Sequence, residues 1–279
     1  MKVAVSGARG FIGQAFTELL RAEGHEVIEV RRTPKGFGWA VIEGADAVVH
    51  LAGRNIAARW TATFKRTMLA ERAAAVQSLQ AALKNMSNPP KVVVIASAIG
   101  HYGETRQMAA ETAPRGTCFP AQICEVVEAG AYPKNIRVVQ ARIGVVLGKG
   151  GGALAKMLPA FYLGLGGPVG VGQQMLSWVS RTDVARALLH CVENPKLQGP
   201  VNLVAPHPIP QAELAATLGR VLQRPAFLTM PAFMVKILFG EMGEELLLKS
   251  CLVSSAKLQQ SGFVFQQPTL EMALRAELT

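Results

Sequence analysis

Lys2-Val3-Ala4-Val5-Ser6, followed directly by Gly7-Ala8-Arg9-Gly10-Phe11-Ile12-Gly13, places an alternating β-branched run ahead of a turn with GxxGxxG spacing. The run reads as a strand. After the turn, Phe11, Ile12, Ala15, Phe16, Leu19 and Leu20 mark one face of a helix that Gly24 ends. Small residues between a strand and a helix let the backbone turn tightly. They also let a pyrophosphate approach the free N–H groups and positive end of the helix. Gly7, Gly10, Phe11 and Ile12 are therefore expected to cradle a dinucleotide, and Gly13 to allow close helix–strand packing.

Working outward, Glu26–Val30 reads as the second strand. An acidic residue at its end would accept from a ribose 2′-hydroxyl. Here the strand is followed by Arg31-Arg32, which suits a 2′-phosphate, and Arg9 in the turn can reach the same region. The expected cofactor is NADP(H). A loop carries Pro34, Gly36 and Gly38, with a short strand expected around Trp39–Ile42. Ala47–Leu51 is the next strand. Leu51, Ala52 and Gly53 leave room for the cofactor at its end, while His50 reads as a packed strand residue.

Thr61–Lys84 predicts a long helix buried through Phe64, Met68, Ala75, Leu79 and Leu83. Val92–Ala96 and Ile136–Arg142 predict two further strands, with a helix over Phe119–Ala131 between them. The repeated β-α-β order indicates a Rossmann-type, doubly wound parallel α/β sheet. Beyond residue 150 the pattern changes. Glycine-rich segments at Gly148–Gly152 and Gly164–Gly172 flank a helix near Ala153–Tyr162. Helices are expected over Thr182–Glu193 and Gln211–Leu222, with a short strand at Val201–Val204 between them. Further helices follow at Pro231–Leu248, Ser254–Gln260 and Pro268–Glu277. The expected organisation is a Rossmann domain over 1–205, with 148–182 contributing to a substrate cleft, and a smaller helical lobe over 206–279.

Composition narrows the class. The 279 residues are 50% hydrophobic, and no apolar stretch is long enough to span a membrane. The apolar run Met230–Phe239 contains Lys236 and follows the pattern of a buried helix. No signal peptide is read at the N-terminus. Cys118, Cys124, Cys191 and Cys251 lack metal-ligand spacing, which indicates a reducing, cytoplasmic setting and no structural metal. The formal charge of +10 is dispersed, without the basic run or aromatic interleaving of a nucleic-acid surface.

These residues resemble the extended short-chain dehydrogenase/reductase superfamily. The resemblance is to its branch of nucleoside-diphosphate-sugar epimerase-like proteins, some labelled cell-division inhibitors. It rests on His50–Ile56 with Arg59-Trp60-Thr61, on Ser97–Gly103, on Arg142–Leu147 with Gly150–Leu154, on Leu163–Gly172, and on Gln174–Trp178 with Asp183. The tail from Gly262 to Leu270 resembles that branch's C-terminal domain of unknown function. The resemblance implies cofactor contacts from Arg32 and Arg72, and from Ala96, Ser97, Arg142 and Val146 toward the nicotinamide end. Ser97, or with a shift of one Ala98, would stand nearest the nicotinamide.

Active members of the superfamily use a Tyr and a Lys one helical turn apart for proton transfer. Here Pro120 and Cys124 fall at those positions, and neither can perform that chemistry. Cys124 reads as a buried apolar thiol. Ser97 and Tyr102 remain as candidate catalytic groups, while His101, Tyr102 and Glu104 together read as a polar loop. Two functions follow. One is an NADP(H)-dependent oxidoreductase or epimerase acting on a small carbonyl or sugar-nucleotide substrate without the usual pair. The other is a non-catalytic NADP(H)-binding redox sensor or partner-binding scaffold.

Overall fold

A computed structural model describes residues 1–33 and 36–278. The expected loop residue Pro34 lies outside them. Six strands form one parallel sheet: β1 (Lys2–Ser6), β2 (Glu26–Val30), β5 (Ala47–His50), β6 (Val92–Ala98), β7 (Arg137–Ile143) and β11 (Gly199–Leu203). Their order is β11-β7-β6-β5-β1-β2. The chain moves one way from β1 to β2 and the other way to β5, so the switch point lies at the carboxyl ends of β1 and β5. In an open α/β sheet that crevice receives ligands.

Two layers of helix cover the sheet because alternate strand residues face opposite ways. Val3 and Val5 pack with Phe16 and Leu20 of α1 (Phe11–Ala22) and with Leu188 and Val192 of α5 (Arg181–Glu193). Ala4, Val48 and Val93 point to the other layer, with Met68 and Leu79 of α2 (Ala62–Lys84) and Ile123 of α3 (Phe119–Glu128). Thr61 caps α2, its hydroxyl accepting from the Phe64 N–H at 3.1 Å. This matches the doubly wound reading.

Some local expectations need correction. Trp39–Ile42 forms a 3-10 turn, not a strand; Trp39 and Ile42 are buried against the α2 layer. Just before it, β3 (Arg32–Thr33) and β4 (Gly36–Phe37) pair as a small hairpin. Short parallel pieces β8 (Val145–Leu147) and β10 (Trp178–Ser180) pair beyond the main sheet. A further antiparallel pair joins β9 (Met175–Leu176) to β12 (Ile209–Pro210). These pieces, with α4 (Gly152–Tyr162), α6 (Gln211–Leu222) and α9 (Leu270–Leu278), enclose a second core around Trp178, Leu154, Leu214 and Leu274.

The helix α7 (Ala232–Leu247) is not the buried helix that its apolar sequence suggests. In its first half only Val235 is buried, while Phe233, Met234, Ile237 and Leu238 are exposed. The helix is kinked at Gly240, whose φ of 59° and ψ of −142° are non-helical. Among the described residues no helix is long and apolar enough to cross a membrane.

The C-terminal segment is fastened to the sheet by Asp183, which is fully buried in the first turn of α5. Its two oxygens accept the backbone N–H groups of Gln266 and Gln267, each at 2.8 Å, and Arg186 donates at 3.0 Å. Those residues connect α8 (Ala256–Gln260) to α9. Replacing Asp183 with Ala removes the buried acceptor of two backbone N–H groups and of Arg186, so a loss of about 2 kcal/mol is expected in urea unfolding. A loss within experimental error would show that the tail is held by apolar packing alone.

Candidate functional site

The glycine turn is the centre of the crevice. Gly7 has a φ of +78°, and a Cβ there would lie 2.8 Å from the Ala52 backbone nitrogen. A Cβ on Gly13 would overlap the Gly7 carbonyl. The turn is thus pressed between α1 and the exit of β5, and only residues without side chains fit. The Gly10 N–H closes it by donating to the Gly7 carbonyl at 2.9 Å. No side chain caps α1 at Gly10. Its first N–H groups are therefore available to an anion.

Behind the turn, Ser6 and His50 share a buried hydrogen bond between the hydroxyl and ring Nδ1. The His50 ring packs edge-on against Phe37 and Trp39. Burial, reinforced by Arg72 and then Arg32, pushes its pKa down to about 4. His50 is a packed neutral residue, as its strand position suggested. Ser6, which supports both the ring and the Ala52 backbone, carried no sequence signal of its own.

The basic residues divide into two groups. Glu29 on β2 gathers Arg9 at 3.5 Å, Arg21 at 3.7 Å and Arg31 at 4.0 Å. Arg32 follows on the opposite side of the chain and lies over the Phe37 ring, 5.4 Å from its centroid. Arg72 projects from α2 against Gly53, where any Cβ would overlap its guanidinium. It donates to the Arg54 carbonyl at 3.1 Å, yet its enclosed Nε has no partner. Burial lowers the Arg72 pKa. An enclosed cation with an unused donor suits an anionic ligand. Glu29 was missed in the sequence because a lone acidic residue inside a strand has no pattern.

The carboxyl ends of β6, β7 and β11 carry a separate, buried polar network. Ser97, Arg142 and Asn202 sit side by side in register. Glu128, at the end of α3, accepts from the Ser97 hydroxyl at 2.6 Å. Its two oxygens also accept from Arg142, through Nε at 3.0 Å and Nη2 at 2.7 Å. Arg142 Nη1 donates to the Tyr102 hydroxyl at 2.9 Å and to the Glu111 carbonyl at 3.1 Å. Tyr102 in turn donates to Asn202 at 2.7 Å. Burial raises the Tyr102 pKa against the opposing pull of Arg142. Burial and Arg142 lower that of His101, whose Nδ1 lies 3.6 Å from Glu128.

His101 and Tyr102 therefore do not form a polar loop. They close a buried 3-10 turn, Ile99–Tyr102, and only Glu104 of the three is exposed. The structure does not bring Arg142 to the glycine cradle, since its N–H groups are engaged within the protein. Ser97 turns toward Glu128, whereas Ala98 beside it is the exposed residue. Pro120 is buried against Gly100, where a Cβ would stand 2.8 Å from its own. Cys124 donates to the Ala98 carbonyl at 3.3 Å, and burial raises its thiol pKa. The raised pKa favours the protonated thiol, as burial does.

The mouth of the crevice is completed by β8 and the loop after it. Val146 is buried within β8, and in the loop Gly151 lies against the Phe11 ring so closely that a Cβ would overlap it. Arg181 donates to the Phe11 carbonyl at 2.9 Å and stacks on the same ring. Leu51, Ala52 and Ala96 are half-buried around the strand ends, and Gly53 is exposed beside them.

Comparison with known proteins gives the family and the fold. Residues 3–204 match the model of the NAD dependent epimerase/dehydratase family, and residues 230–277 match a domain of unknown function, DUF1731. The epimerase family protein Mb2239 of Mycobacterium bovis is 38% identical, covering 98% of this chain and 96% of that one. The epimerase family protein YfhF of Bacillus subtilis is 32% identical over 98% and 97%. A crystal structure of human epimerase family protein SDR39U1 (isoform 2) with NADPH is similar at a TM-score of 0.93. It is 37% identical and covers 99% of both chains.

The depressed His50 pKa has a definite linkage. Its folded value of about 4 lies below the 6.5 of an ordinary histidine. Its contribution is therefore complete above pH 6.5 and is lost as pH falls through 4, a change on the order of 3 kcal/mol. NMR titration of the ring is expected to find it neutral at about pH 5. A ring already protonated there would refute this account of its burial.

Proposed function

The chain belongs to the NAD-dependent epimerase/dehydratase family, and on that premise we propose that it is an epimerase-like protein that binds NADP(H). The observation that carries this reading is Arg72, an enclosed cation with an unpartnered Nε beside the glycine turn. The uncapped start of α1 supports it, as does NADPH in the human relative's structure. Gly7, Gly10, Phe11 and Ile12 would take the pyrophosphate with backbone N–H groups. Arg72 would neutralise phosphate charge, and Arg32 would meet the 2′-phosphate. Arg9 and Arg31 are held by Glu29 and would assist from that side. Leu51, Ala52, Gly53, Ala96 and Val146 would line the remainder.

NADP(H) would supply hydride chemistry at its nicotinamide. The substrate would be a small carbonyl or a sugar nucleotide, and the reaction would proceed without a Tyr/Lys pair. A second reading, a non-catalytic NADP(H)-binding sensor or scaffold, is favoured by one observation. Near Ala98 the hydroxyl protons of Ser97 and Tyr102 are already donated to Glu128 and Asn202, and the Cys124 thiol proton is donated to a carbonyl. The four free cysteines support a reducing, cytoplasmic setting.

Calorimetric titration is expected to give tighter binding of NADPH than of NADH. Arg32→Glu should weaken NADPH by about tenfold to a hundredfold and spare NADH. An equal loss of both would remove the 2′-phosphate assignment. A screen of carbonyls and sugar nucleotides for NADPH oxidation separates the two readings. In any reaction found, Cys124→Ser is expected to keep the rate within about threefold, because a buried thiol adds packing and not chemistry. Complete loss would make Cys124 a participant.

A further inference from the structure

One carboxylate on β2 stands among three guanidinium groups. Alternate residues of a strand share a side, so Glu29 faces the same way as Val27, which packs with the core on the α1 side. The parallel register sets Glu29 beside Val5 and Val30 beside Ser6. Glu29 is thereby level with the last residues of β1, where the glycine turn begins. Arg9 reaches it from that turn, Arg21 from the last turn of α1, and Arg31 from just beyond the strand. The Arg31 backbone is fixed there, its carbonyl accepting from the Gly38 N–H at 3.0 Å.

The cluster is loosely held and open. Its N···O separations of 3.5, 3.7 and 4.0 Å are longer than those of charge-assisted hydrogen bonds. The Arg9 and Arg31 side chains are 76% and 74% exposed. Among the described residues none of the three arginines has a second carboxylate partner. Arg21, Glu29 and Arg31 line an open trough of about 560 Å³, through which a phosphate group can reach them. Three cations against one anion leave a surplus of positive charge, which suits a small dianion such as a phosphate monoester.

We propose that Glu29 is a specificity-determining residue. It competes with the cofactor's 2′-phosphate for Arg9 and Arg31, and so restrains the preference for NADPH over NADH. The proposal rests on the NADP(H) reading above. Two effects of the carboxylate oppose each other: it draws the guanidinium groups together for an incoming phosphate, and it repels that phosphate. The first effect is small, because exposed ion pairs hold long side chains only weakly. The second is larger. A carboxylate that close to the guanidinium groups stands within about 6 Å of a phosphate they hold, and a charge facing a dianion at that range costs roughly threefold to tenfold in affinity after screening by salt. Repulsion therefore wins. NADH has no 2′-phosphate and does not enter the competition. Arg32 lies over the Phe37 ring on the other side of the chain, so its contact with the phosphate is independent of Glu29.

Calorimetric titration of the purified full chain with NADPH and with NADH tests this. Glu29→Gln keeps the shape of the side chain and removes its charge. It should tighten NADPH binding about threefold to tenfold and leave NADH within about twofold. The gain should shrink in about 0.5 M KCl, where charges are screened. Glu29→Asp retains the charge and should stay near the wild type for both nucleotides. Weaker NADPH binding by Glu29→Gln, with the wild-type preference intact, would make Glu29 a support for the arginines and overturn the proposal. An unchanged affinity, or equal gains from Gln and Asp, would overturn it too. A wild type that binds both nucleotides equally, or neither, would remove the NADP(H) reading itself and the proposal with it.

Discussion

The contact on which the site depends is the close approach of the Gly7 turn to the backbone at Ala52. The sheet order places β1 beside β5, and side chains at Gly7 or Gly13 would force those elements apart. Their absence brings the start of α1 to the mouth of the switch-point crevice with its N–H groups uncapped. The same close packing extends outward. Gly53 lets the Arg72 guanidinium lie flat against the strand exit, and Gly151 admits the Phe11 ring. Polar donors and cations thus converge because neighbouring backbones carry no Cβ to keep them away. A crevice lined with free donors and cations follows from packing before any ligand is considered.

A second constraint lies one strand further along. A carboxylate and a guanidinium buried together are costly unless nearly every donor and acceptor is used. Glu128 and Arg142 meet that condition through Ser97, Tyr102 and the Glu111 carbonyl. Asn202 extends the network to the C-terminal part of the chain by donating to the Ser254 carbonyl at 3.0 Å. Pro120, packed against Gly100, and Cys124, donating to the Ala98 carbonyl, border the network. Its order is that of a structural cluster, with hydroxyls whose protons point into the protein. Tyr102, despite its place beyond the strand end, has its proton directed to Asn202 and its pKa raised by burial.

Elements built on one continuous pattern were legible in the sequence. The buried strands at 47–50 and 92–98 are runs of Val and Ile between turn residues, and the glycine spacing fixed the turn. Trp39–Ile42 was misread because a short apolar run does not distinguish a strand from a helical turn. The pieces at 145–147 and 175–180 were invisible because two or three residues become strands only when distant partners arrive. The same holds for the site. Arginines beside glycine motifs could be singled out, but Glu29, Glu128 and Ser6 act through partners far away in the chain. For α7, sequence hydrophobicity correctly indicated a helix and wrongly indicated burial, since periodicity cannot show whether the second apolar face finds a cover within the same chain.

The positive charge of the chain is also clearer in three dimensions than in composition. Arg137 donates to the carbonyls of Cys191 and Val192, closing the end of α5, and to Leu197. A cation at a helix carboxyl end is favourable and satisfies groups that the helix leaves open. Arg186 serves Asp183 and the Val264 carbonyl, and Arg181 serves Phe11. These arginines bind the layers and the tail of the fold to one another. The guanidinium groups that distinguish the crevice are less fully employed: Arg72 donates to the Arg54 carbonyl but keeps an open Nε, and Arg32 rests on an aromatic ring. Function in this chain is therefore better located by the donors that the fold leaves unused than by the number of charges it carries.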